Sequence, residues 1–423
     1  MSKELIAIDL FAGAGGFSEG FIRAGFKPVA HVEMDPAACF TLKTRAAYHW
    51  LKDNGQLKTY ENYLKGNISR DELYSSVPGE CVESVICSEI GDDTLPEIFK
   101  RIDSLLAGRK LDVIIGGPPC QAYSLVGRSR DTNRMKGDKR NYLYIYYAEF
   151  LKRYKPECFV FENVTGLLSA KAPNGVRYLD QMRELFKEVG YATEYEELTA
   201  SDYGVPQHRK RVIMIGKRGK KGGFYPKLKK QDSVVKVWDV LKDLEPLQAG
   251  EGGARSCRRQ RSPAYLRQIG VVGEKLPVTL HFARPHTDQD LAIYKIAIEK
   301  WDSSRERLNY NDLPERLKTH NNRGCFTDRF KVVAGNERAS HTIVAHISKD
   351  GHYYIHPDKT QNRSLTPREA ARLQTFPDDY YFESQSDKPG RTAPYRQIGN
   401  AVPVFMAEVV ANALKENCYE QRN

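Results

Sequence analysis

The residue of this sequence with the clearest chemical potential is Cys120, in the stretch DVIIGGPPCQAYS from Asp112 to Ser124. A short apolar run predicts a buried strand, two glycines end it, and two prolines stiffen the loop that presents the thiol. Such a cysteine is more often a small buried hydrophobe than a nucleophile, so its role depends on its neighbours in space. As a thiolate it would be a strong nucleophile.

Three further segments place polar groups beside predicted strands. Glu162 and Asn163 end one apolar run, Arg209 and Arg211 open another, and a glycine-rich turn at 12–17 follows a third. Open α/β sheets bind their ligands at the carboxyl ends of strands. We therefore expect the thiol, the carboxyl group, the arginines and the glycine turn to converge at that edge of one sheet.

The elements that must position these groups alternate between strand and helix patterns in the first half of the chain. This alternation predicts an α/β fold with a mostly parallel, doubly wound sheet. Residues 47–79 are polar, fit none of the motifs and are predicted to form a largely helical insertion. After residue 216 the periodicity breaks down, and the sequence predicts short helices, a hairpin over 342–355 and a capped helix that starts at Thr366.

The order of these motifs resembles that of DNA (cytosine-5) methyltransferases of the bacterial or phage restriction-modification type. The resemblance runs from Leu5 to about Leu414 and rests on FAGAGG, PPCQ, ENV, QHRKR, REAARLQTFP and RQIGNAVP. It implies a Rossmann-like, S-adenosylmethionine-dependent core with a smaller, irregular target recognition domain. The implied division is a catalytic domain at 1–216, a DNA-reading domain at 217–390, and a segment at 391–423 that returns to the catalytic domain.

The resemblance implies S-adenosylmethionine as cofactor, S-adenosylhomocysteine as product, and no metal. It places Phe11 against the cofactor, Glu33 on its ribose and Met34 against its adenine. Glu89 stands where the family usually has an aspartate, which leaves its contact open, with Asp92 or Asp93 as alternatives. The other implied cofactor residues are Asp9, Gly13, Gly15, Gly16, Ile90, Pro118, Leu143, Asn400 and Ala401.

Carbon 5 of cytosine is too electron-poor to attack a methyl donor, so a nucleophile must first add at carbon 6. The resemblance gives that role to Cys120 and gives Glu162, kept protonated by desolvation, the role of supporting ring nitrogen 3. Arg211 would hold the carbonyl oxygen of the base, and Asn163 would fix the neighbouring loop. For Arg209 both a structural backbone contact and a DNA contact stay open.

The charge of the chain suits a polyanionic partner. Lys and Arg number 65 against 54 Asp and Glu, a net charge of +11, and several basic clusters flank the motifs. The implied partner is double-stranded DNA with the target cytosine flipped out of the stack. Residues implied to contact the DNA are Gln121, Ser124, Arg128 and Arg209.

Two other hypotheses use the same core: an RNA (tRNA) cytosine-5 methyltransferase, and a catalytically silent DNA-binding relative. The long segment between Arg211 and Arg363 favours DNA, and the complete set of Cys120, Glu162 and Arg211 favours catalysis. The eight cysteines form no CxxC pair, which indicates neither a zinc site nor a disulfide framework. With no export signal or apolar run long enough for a membrane span, we expect a cytoplasmic, nucleoid-associated monomer, with any cognate restriction endonuclease acting separately.

Overall fold

The fold is built around one seven-stranded sheet. A computed structural model describes residues 4–119, 142–231, 235–256, 261–273, 275–386 and 388–420. Its strands are β1 (Leu5–Leu10), β2 (Phe26–Glu33), β3 (Val85–Cys87), β4 (Val113–Gly116), β5 (Cys158–Asn163), β6 (Tyr191–Thr199), β7 (Gln207–His208), β8 (Lys210–Arg218), β9 (Gly252–Ser256), β10 (Val278–Phe282) and β11 (Ser340–His341). The central sheet has the order β3-β2-β1-β4-β5-β8-β6.

The direction of β8 decides where the arginines lie. β3, β2, β1, β4 and β5 pair in parallel, whereas β8 runs antiparallel to both β5 and β6. The predicted mostly parallel sheet is therefore confirmed. Arg211 lies near the start of β8, and the register pairs Asn163 with Val212, so this start reaches the carboxyl edge of β5.

Helices cover both faces of the sheet. They are α1 (Gly16–Arg23), α2 (Pro36–Asp53), α3 (Leu57–Lys65), α4 (Arg70–Ser75), α5 (Gly79–Glu83), α6 (Leu95–Leu106), α7 (Leu143–Tyr154), α8 (Tyr178–Glu188), α9 (Val237–Leu241), α10 (Ala264–Gln268), α11 (Asp288–Ser304), α12 (Pro367–Leu373), α13 (Thr392–Asn400) and α14 (Val404–Lys415). Successive strand residues point to opposite faces, so Leu5 and Ala7 join one apolar core while Ile6 and Ile8 join another. The first core is shared with α1 and α14, the second with α6, α7 and α8.

The insertion at 47–79 is helical, as predicted. The end of α2, then α3, α4 and the start of α5, enclose a small core that contains Tyr60, Leu64 and Leu73. The Tyr60 hydroxyl donates to the backbone carbonyl of Asp379 at 2.7 Å. This hydrogen bond attaches the insertion to the segment that follows α12.

The prediction of a hairpin over 342–355 is wrong. Ser340–His341 instead pairs in parallel with Gln207–His208, and Ala345–Ser348 forms a 3-10 turn. Side chains occupy the backbone groups that a hairpin would use: Gln207 accepts the N–H of Ile343 at 2.8 Å, and the Tyr354 hydroxyl donates to the carbonyl of Thr342 at 3.1 Å. The predicted helix start at Thr366 is confirmed, because Thr366 and Glu369 form a capping box.

The second half of the chain has a separate apolar cluster of its own. Ile298 of α11 packs there with Tyr310, Leu317 and Phe330. In contrast, α9, α12 and α14 belong to the first sheet core. Among the described residues, no helix combines the length and apolar composition needed to cross a membrane.

Candidate active site

A cavity of about 880 Å³ lies at the carboxyl edge of the central sheet. Its walls come from the glycine-rich turn after β1, the residues that follow β2, β3 and β4, the start of α7, and the end of α13. The carboxyl ends of β1 and β4, which are paired in the sheet, open into it together. The sequence-predicted convergence at this edge is thus present for the glycine turn, Glu162 and Arg211, and it is wrong for Arg209, which does not line the cavity.

Glu33 is fixed at the end of β2 by two backbone donors. Its Oε2 accepts the N–H of Gly13 at 2.8 Å, and its Oε1 accepts the N–H of Asp35 at 2.8 Å. Burial raises the pKa of Glu33, although these backbone hydrogen bonds oppose the rise. The carboxylate therefore connects β2 to the glycine turn and lines the cavity beside Met34, whose side chain is 56% exposed.

The glycine turn needs its glycines for two different reasons. Gly15 has φ +77°, which a side chain rarely adopts. At Gly16, a Cβ would lie 2.4 Å from the carbonyl oxygen of Val402, so only glycine lets α1 approach the residues before α14. Gly16 lines the cavity, and its contact joins the amino-terminal and carboxyl-terminal walls.

Asp9 is buried beneath this turn and has one oxygen without a hydrogen-bond partner among the described residues. Its Oδ2 accepts the Ser18 hydroxyl, while its Oδ1 has none. Burial raises the pKa of Asp9 to about 7, the Ser18 hydrogen bond lowers it, and the charge of Glu33 raises it further. A cationic group in the cavity would compensate this buried carboxyl.

The charges around the cavity suit a positively charged ligand. The lining contains the acids Asp9, Glu33, Asp35, Glu89, Asp92, Asp93 and Glu162, against the arginines Arg211 and Arg396. Apolar contacts come from Phe11, Met34, Ile90 and Ile145. A sulfonium-bearing nucleoside such as S-adenosylmethionine presents both a cation and a flat apolar base, so the residues present fit it.

Glu162 and Arg211 form an ion pair at one wall of this cavity. Arg211 Nε lies 2.6 Å from Glu162 Oε1, and the two side chains are only 14% and 13% exposed. A second guanidinium nitrogen of Arg211 donates to the carbonyl of Lys210 at 2.8 Å. A carboxyl group and a guanidinium held side by side can address two adjacent polar atoms of one planar ring.

The backbone before Cys120 is held against Glu162 and Asn163. The Asn163 amide donates to the carbonyl of Pro118 at 3.2 Å, and its Oδ1 accepts the N–H of Val164 at 2.9 Å. Asn163 is buried, so these bonds fix Pro118 relative to the end of β5. The predicted residues Cys120, Gln121, Ser124 and Arg128 lie outside the described residues.

Arg209 lies away from the cavity. Its side chain is fully buried, and the guanidinium donates to the carbonyls of Ile343 at 2.7 Å and Gly399 at 3.2 Å. A longer contact of 3.4 Å reaches the carbonyl of Asn400, which does line the cavity. This placement matches the structural alternative considered for Arg209 and separates it from Arg211.

Most of the predicted cofactor residues meet at the cavity. Gly15 is absent from the lining; the others are present, namely Asp9, Phe11, Gly13, Gly16, Glu33, Met34, Glu89, Ile90, Pro118, Leu143, Asn400 and Ala401. Asp92 also lines the cavity and accepts the hydroxyl of Tyr146 at 3.0 Å.

Sequence reasoning missed an ion pair at the cavity wall. Arg396 binds Asp35 at 2.7 Å, and both residues line the cavity. The RQIGNAVP motif and the cap position of Asp35 before α2 were the available signals. Within the described ranges, no group of three His, Cys, Asp or Glu side chains is arranged to hold a metal ion.

Solved structures of similar fold include a DNA modification methyltransferase encoded in an E. coli prophage, described as putative. The TM-score is 0.63, the identity is 23%, and the match covers 98% of this chain and 99% of that one. The Dnmt2 methyltransferase of S. pombe matches with a TM-score of 0.53 and 15% identity, over 98% of this chain and 99% of that one. At these identities the likeness shows the fold.

Sequence relatives match over nearly the whole chain. The Type II methyltransferase M.Bpa9945I of Bacillus paralicheniformis is 42% identical over 97% of this chain and 99% of its own length. The Type II methyltransferase M.XorII of Xanthomonas oryzae is 32% identical over 97% of this chain and 84% of its own. The model of the C-5 cytosine-specific DNA methylases matches residues 5–78 and 89–416. The chain therefore belongs to the family of C-5 cytosine-specific DNA methylases.

Proposed function

We propose that this DNA cytosine-5 methyltransferase acts through Cys120, Glu162 and Arg211 on a flipped cytosine, and that it is the modification enzyme of a restriction-modification system. The observation that carries the proposal is the ion pair of Glu162 with Arg211. These two side chains stand at the wall of the same cavity as Phe11 and Glu33. Base recognition and cofactor binding thus share one space.

In the proposed reaction, the Cys120 thiolate adds to carbon 6 of cytosine and forms a sulfur–carbon bond. The electron pair of the 5,6 double bond moves towards carbon 5, which makes that carbon nucleophilic. S-adenosylmethionine, when bound, supplies the electrophilic methyl group. Loss of the carbon 5 proton and departure of the Cys120 sulfur then restore the double bond.

Glu162 and Arg211 are proposed to stabilise the charge that develops on the ring. Glu162 would take up a proton, give up its ion pair with Arg211 and donate a hydrogen bond to nitrogen 3, while Arg211 would hold the adjacent carbonyl oxygen. We propose that the Arg211 cation also favours the thiolate form of Cys120 when both contact the base. Asn163 would act as a positioning residue, because it holds the carbonyl of Pro118 two residues before Cys120.

The cofactor is proposed to bind with its ribose at Glu33 and its adenine between Met34 and the apolar wall that includes Ile90. Glu89, Asp92 and Asp93 all line the cavity, so any one of the three can contact the adenine. The product S-adenosylhomocysteine would leave by the same opening. We propose no metal in this reaction, since the chemistry needs only a nucleophile, hydrogen-bond donors and a methyl donor.

We propose that the chain divides into a catalytic part at 1–216, a DNA reader at 217–390 and a returning segment at 391–423. The separate cluster around α11 and Phe330 supports a reader with its own core. Contacts of Tyr380 with the carbonyl of Ala14 at 2.5 Å support a closer attachment of the residues after α12 to the catalytic part. Gln121, Ser124 and Arg128, next to Cys120 in sequence, would contact the DNA.

The role in restriction-modification is supported by the relatives, which are named Type II methyltransferases. We propose that the enzyme acts as a monomer beside a separate endonuclease. The family match favours DNA over the RNA alternative.

A trapping experiment tests the proposed mechanism. Duplex DNA that carries 5-fluorocytosine in the methylated sequence cannot lose a proton from carbon 5, so the Cys120 adduct should persist as a denaturation-resistant complex. Cys120→Ser should form no such complex, and Cys81→Ser, in α5, should form it like the unmodified enzyme. A stable complex with Cys120→Ser would refute the assignment of the nucleophile.

A further inference from the structure

Two thiols outside the proposed reaction lie against each other on the far side of the molecule. Cys158 is the first residue of β5, and Cys418 lies in the turn Glu416–Glu420 that follows α14. The Sγ of Cys158 lies 3.0 Å from the Sγ of Cys418, although 260 positions separate them in sequence. Both residues are buried, with exposed fractions of 0% and 2%.

Contacts of Tyr419, the residue after Cys418, fix the position of the turn that carries Cys418. The Tyr419 hydroxyl donates to the carbonyl of Asp112 at 2.8 Å, and its ring packs edge-on against Phe26. Asp112 in turn accepts the N–H of Cys158 at 3.4 Å. The carbonyl of Asp112 therefore connects the turn after α14 to the start of the strand that carries Cys158.

The two thiols differ in acidity. The hydrogen bond that Cys158 donates lowers the pKa of Cys418, and the neighbouring Lys217 ammonium lowers it further, against the effect of burial. The same hydrogen bond and burial raise the pKa of Cys158. Cys418 is consequently the partner that reaches the thiolate form more readily, and Cys158 is the one that would resolve a mixed disulfide.

We propose that Cys158 and Cys418 form a site of reversible two-electron oxidation, whose disulfide joins the turn after α14 to the central sheet. The oxidant is a small-molecule disulfide. The Cys418 thiolate attacks one of its sulfurs and releases one thiolate; Cys158 then loses its proton, attacks Cys418 Sγ and releases the second. Two protein thiols become one disulfide, and one small disulfide becomes two thiols, so atoms and electrons balance.

The geometry requires only a short movement. The sulfurs must approach from 3.0 Å to about 2 Å, the length of a disulfide bond. Because both thiols are buried, the oxidant reaches them only when the turn opens locally. A reducing compartment would keep the pair as thiols, and a shift to oxidising conditions would close it.

The length of β5 separates the thiol pair from the proposed active site. Cys158 begins the strand and Glu162 lies near its other end, at the carboxyl edge that opens into the cavity. The disulfide should therefore leave the rate of methyl transfer unchanged. It should instead raise the melting temperature by several degrees, because it restrains a long stretch of the unfolded chain.

The test uses the full chain, incubated with oxidised glutathione and then analysed as an intact protein and as peptides. We expect a peptide pair joined through Cys158 and Cys418, and a loss of two hydrogens, about 2 Da, at this pair. Cys158→Ala and Cys418→Ala should each lack the joined peptide and the rise in melting temperature, whereas Cys81→Ala should keep both. A reductant should reverse the change.

The exposed Cys87 serves as an internal control for the oxidant. If Cys87 acquires glutathione while the joined peptide of Cys158 and Cys418 never forms, even under mild denaturation that opens the turn, the proposal is wrong. A joined peptide that forms without raising the melting temperature would overturn the stabilising role.

Discussion

Gly117 lies directly against the carboxyl group of Glu162. A Cβ on residue 117 would be 2.5 Å from Glu162 Oε2 and 3.0 Å from the Glu162 carbonyl oxygen. Since Glu162 also binds Arg211 at 2.6 Å, its carboxyl group is confined between a guanidinium and a backbone that has no side chain. The glycine before the two prolines thus sets the position of the carboxyl group as well as the course of the loop.

Gly117→Ala should lower kcat by about 100-fold, because a displacement of about 1 Å at the reacting groups has an effect of that size. The KM for the cofactor should change little, since Glu162 lies at the wall assigned to the base. Gly91→Ala is the matched control: Gly91 also lines the cavity, but a Cβ there comes no closer than 3.9 Å to another atom. Equal rates for both variants would contradict the confinement of Glu162.

Glu162→Gln and Arg211→Lys should each reduce the rate of methyl transfer by about 100-fold or more. Glutamine keeps the shape of Glu162 without its acid, and lysine keeps the charge of Arg211 without its planar fork. Single-turnover rates at saturating cofactor measure the effect. A variant that loses cofactor binding instead of rate would show that the residue belongs to the cofactor site.

Arg209→Gln should lower thermal stability and raise the KM for the cofactor, because the buried guanidinium holds Gly399 next to Asn400, which lines the cavity proposed for the cofactor. The salt dependence of DNA binding should stay unchanged, whereas loss of a phosphate contact would reduce the slope by about one unit. Lys210→Gln, which removes the same charge at the exposed neighbouring residue, is the control. A reduced slope for Arg209→Gln alone would identify a DNA contact.

Asp9 should make stability depend on pH. Its pKa is raised by burial to about 7 in the folded chain, from an ordinary value of 3.8, so the folded state binds the proton more tightly. The contribution of Asp9 to the free energy of unfolding is therefore complete below pH 3.8. As the pH rises to about 7, the free energy of unfolding falls by about 4 kcal/mol at most.

The difference in melting temperature between Asp9→Asn and the unmodified chain isolates this contribution, since other titrating groups are common to both. We expect the difference to grow in favour of Asp9→Asn between pH 5 and about 7 and then to level off. A difference that does not change over this interval would show that Asp9 is ionised in the folded chain throughout.

Exchanging residues 288–330 for those of a relative with another recognition sequence should change the sequence that is methylated. This stretch contains α11 and most of the separate cluster with Tyr310 and Phe330, whereas α9 and α12 pack into the first core of the central sheet. Base-resolution mapping of 5-methylcytosine reports the outcome. A folded chimera that still methylates the original sequence would place the reader elsewhere in 217–390.

The sequence predicted the sheet, because each strand shows its own local apolar pattern. It also predicted the convergence of Glu162 with Arg211, because both residues lie in motifs beside predicted strands. It did not predict the reversed direction of β8, which follows from pairing with β5 and not from the apolar pattern. The wrong prediction of a hairpin has a similar cause. The side chains of Gln207 and Tyr354 bind the backbone of residues 342–343, and the sequence around those residues gives no indication of either contact.

The sequence also left two alternatives open for Arg209, a structural backbone contact and a DNA contact. Its partners, Ile343 and Gly399, lie 134 and 190 positions away, so only the folded chain brings the carbonyls of these two distant segments to one guanidinium. Most of the residues predicted for the cofactor do line the cavity, because many of them lie at or just after the end of a strand that opens into it.

The most direct measurement is methyl transfer from labelled S-adenosylmethionine to unmethylated plasmid DNA and, in parallel, to tRNA, with Cys120→Ser as control and base-resolution mapping of the product. We predict label on DNA alone, at carbon 5 of cytosine within one short recurring sequence, and none with Cys120→Ser. Label on tRNA alone, or transfer that survives in Cys120→Ser, would contradict the proposed reaction.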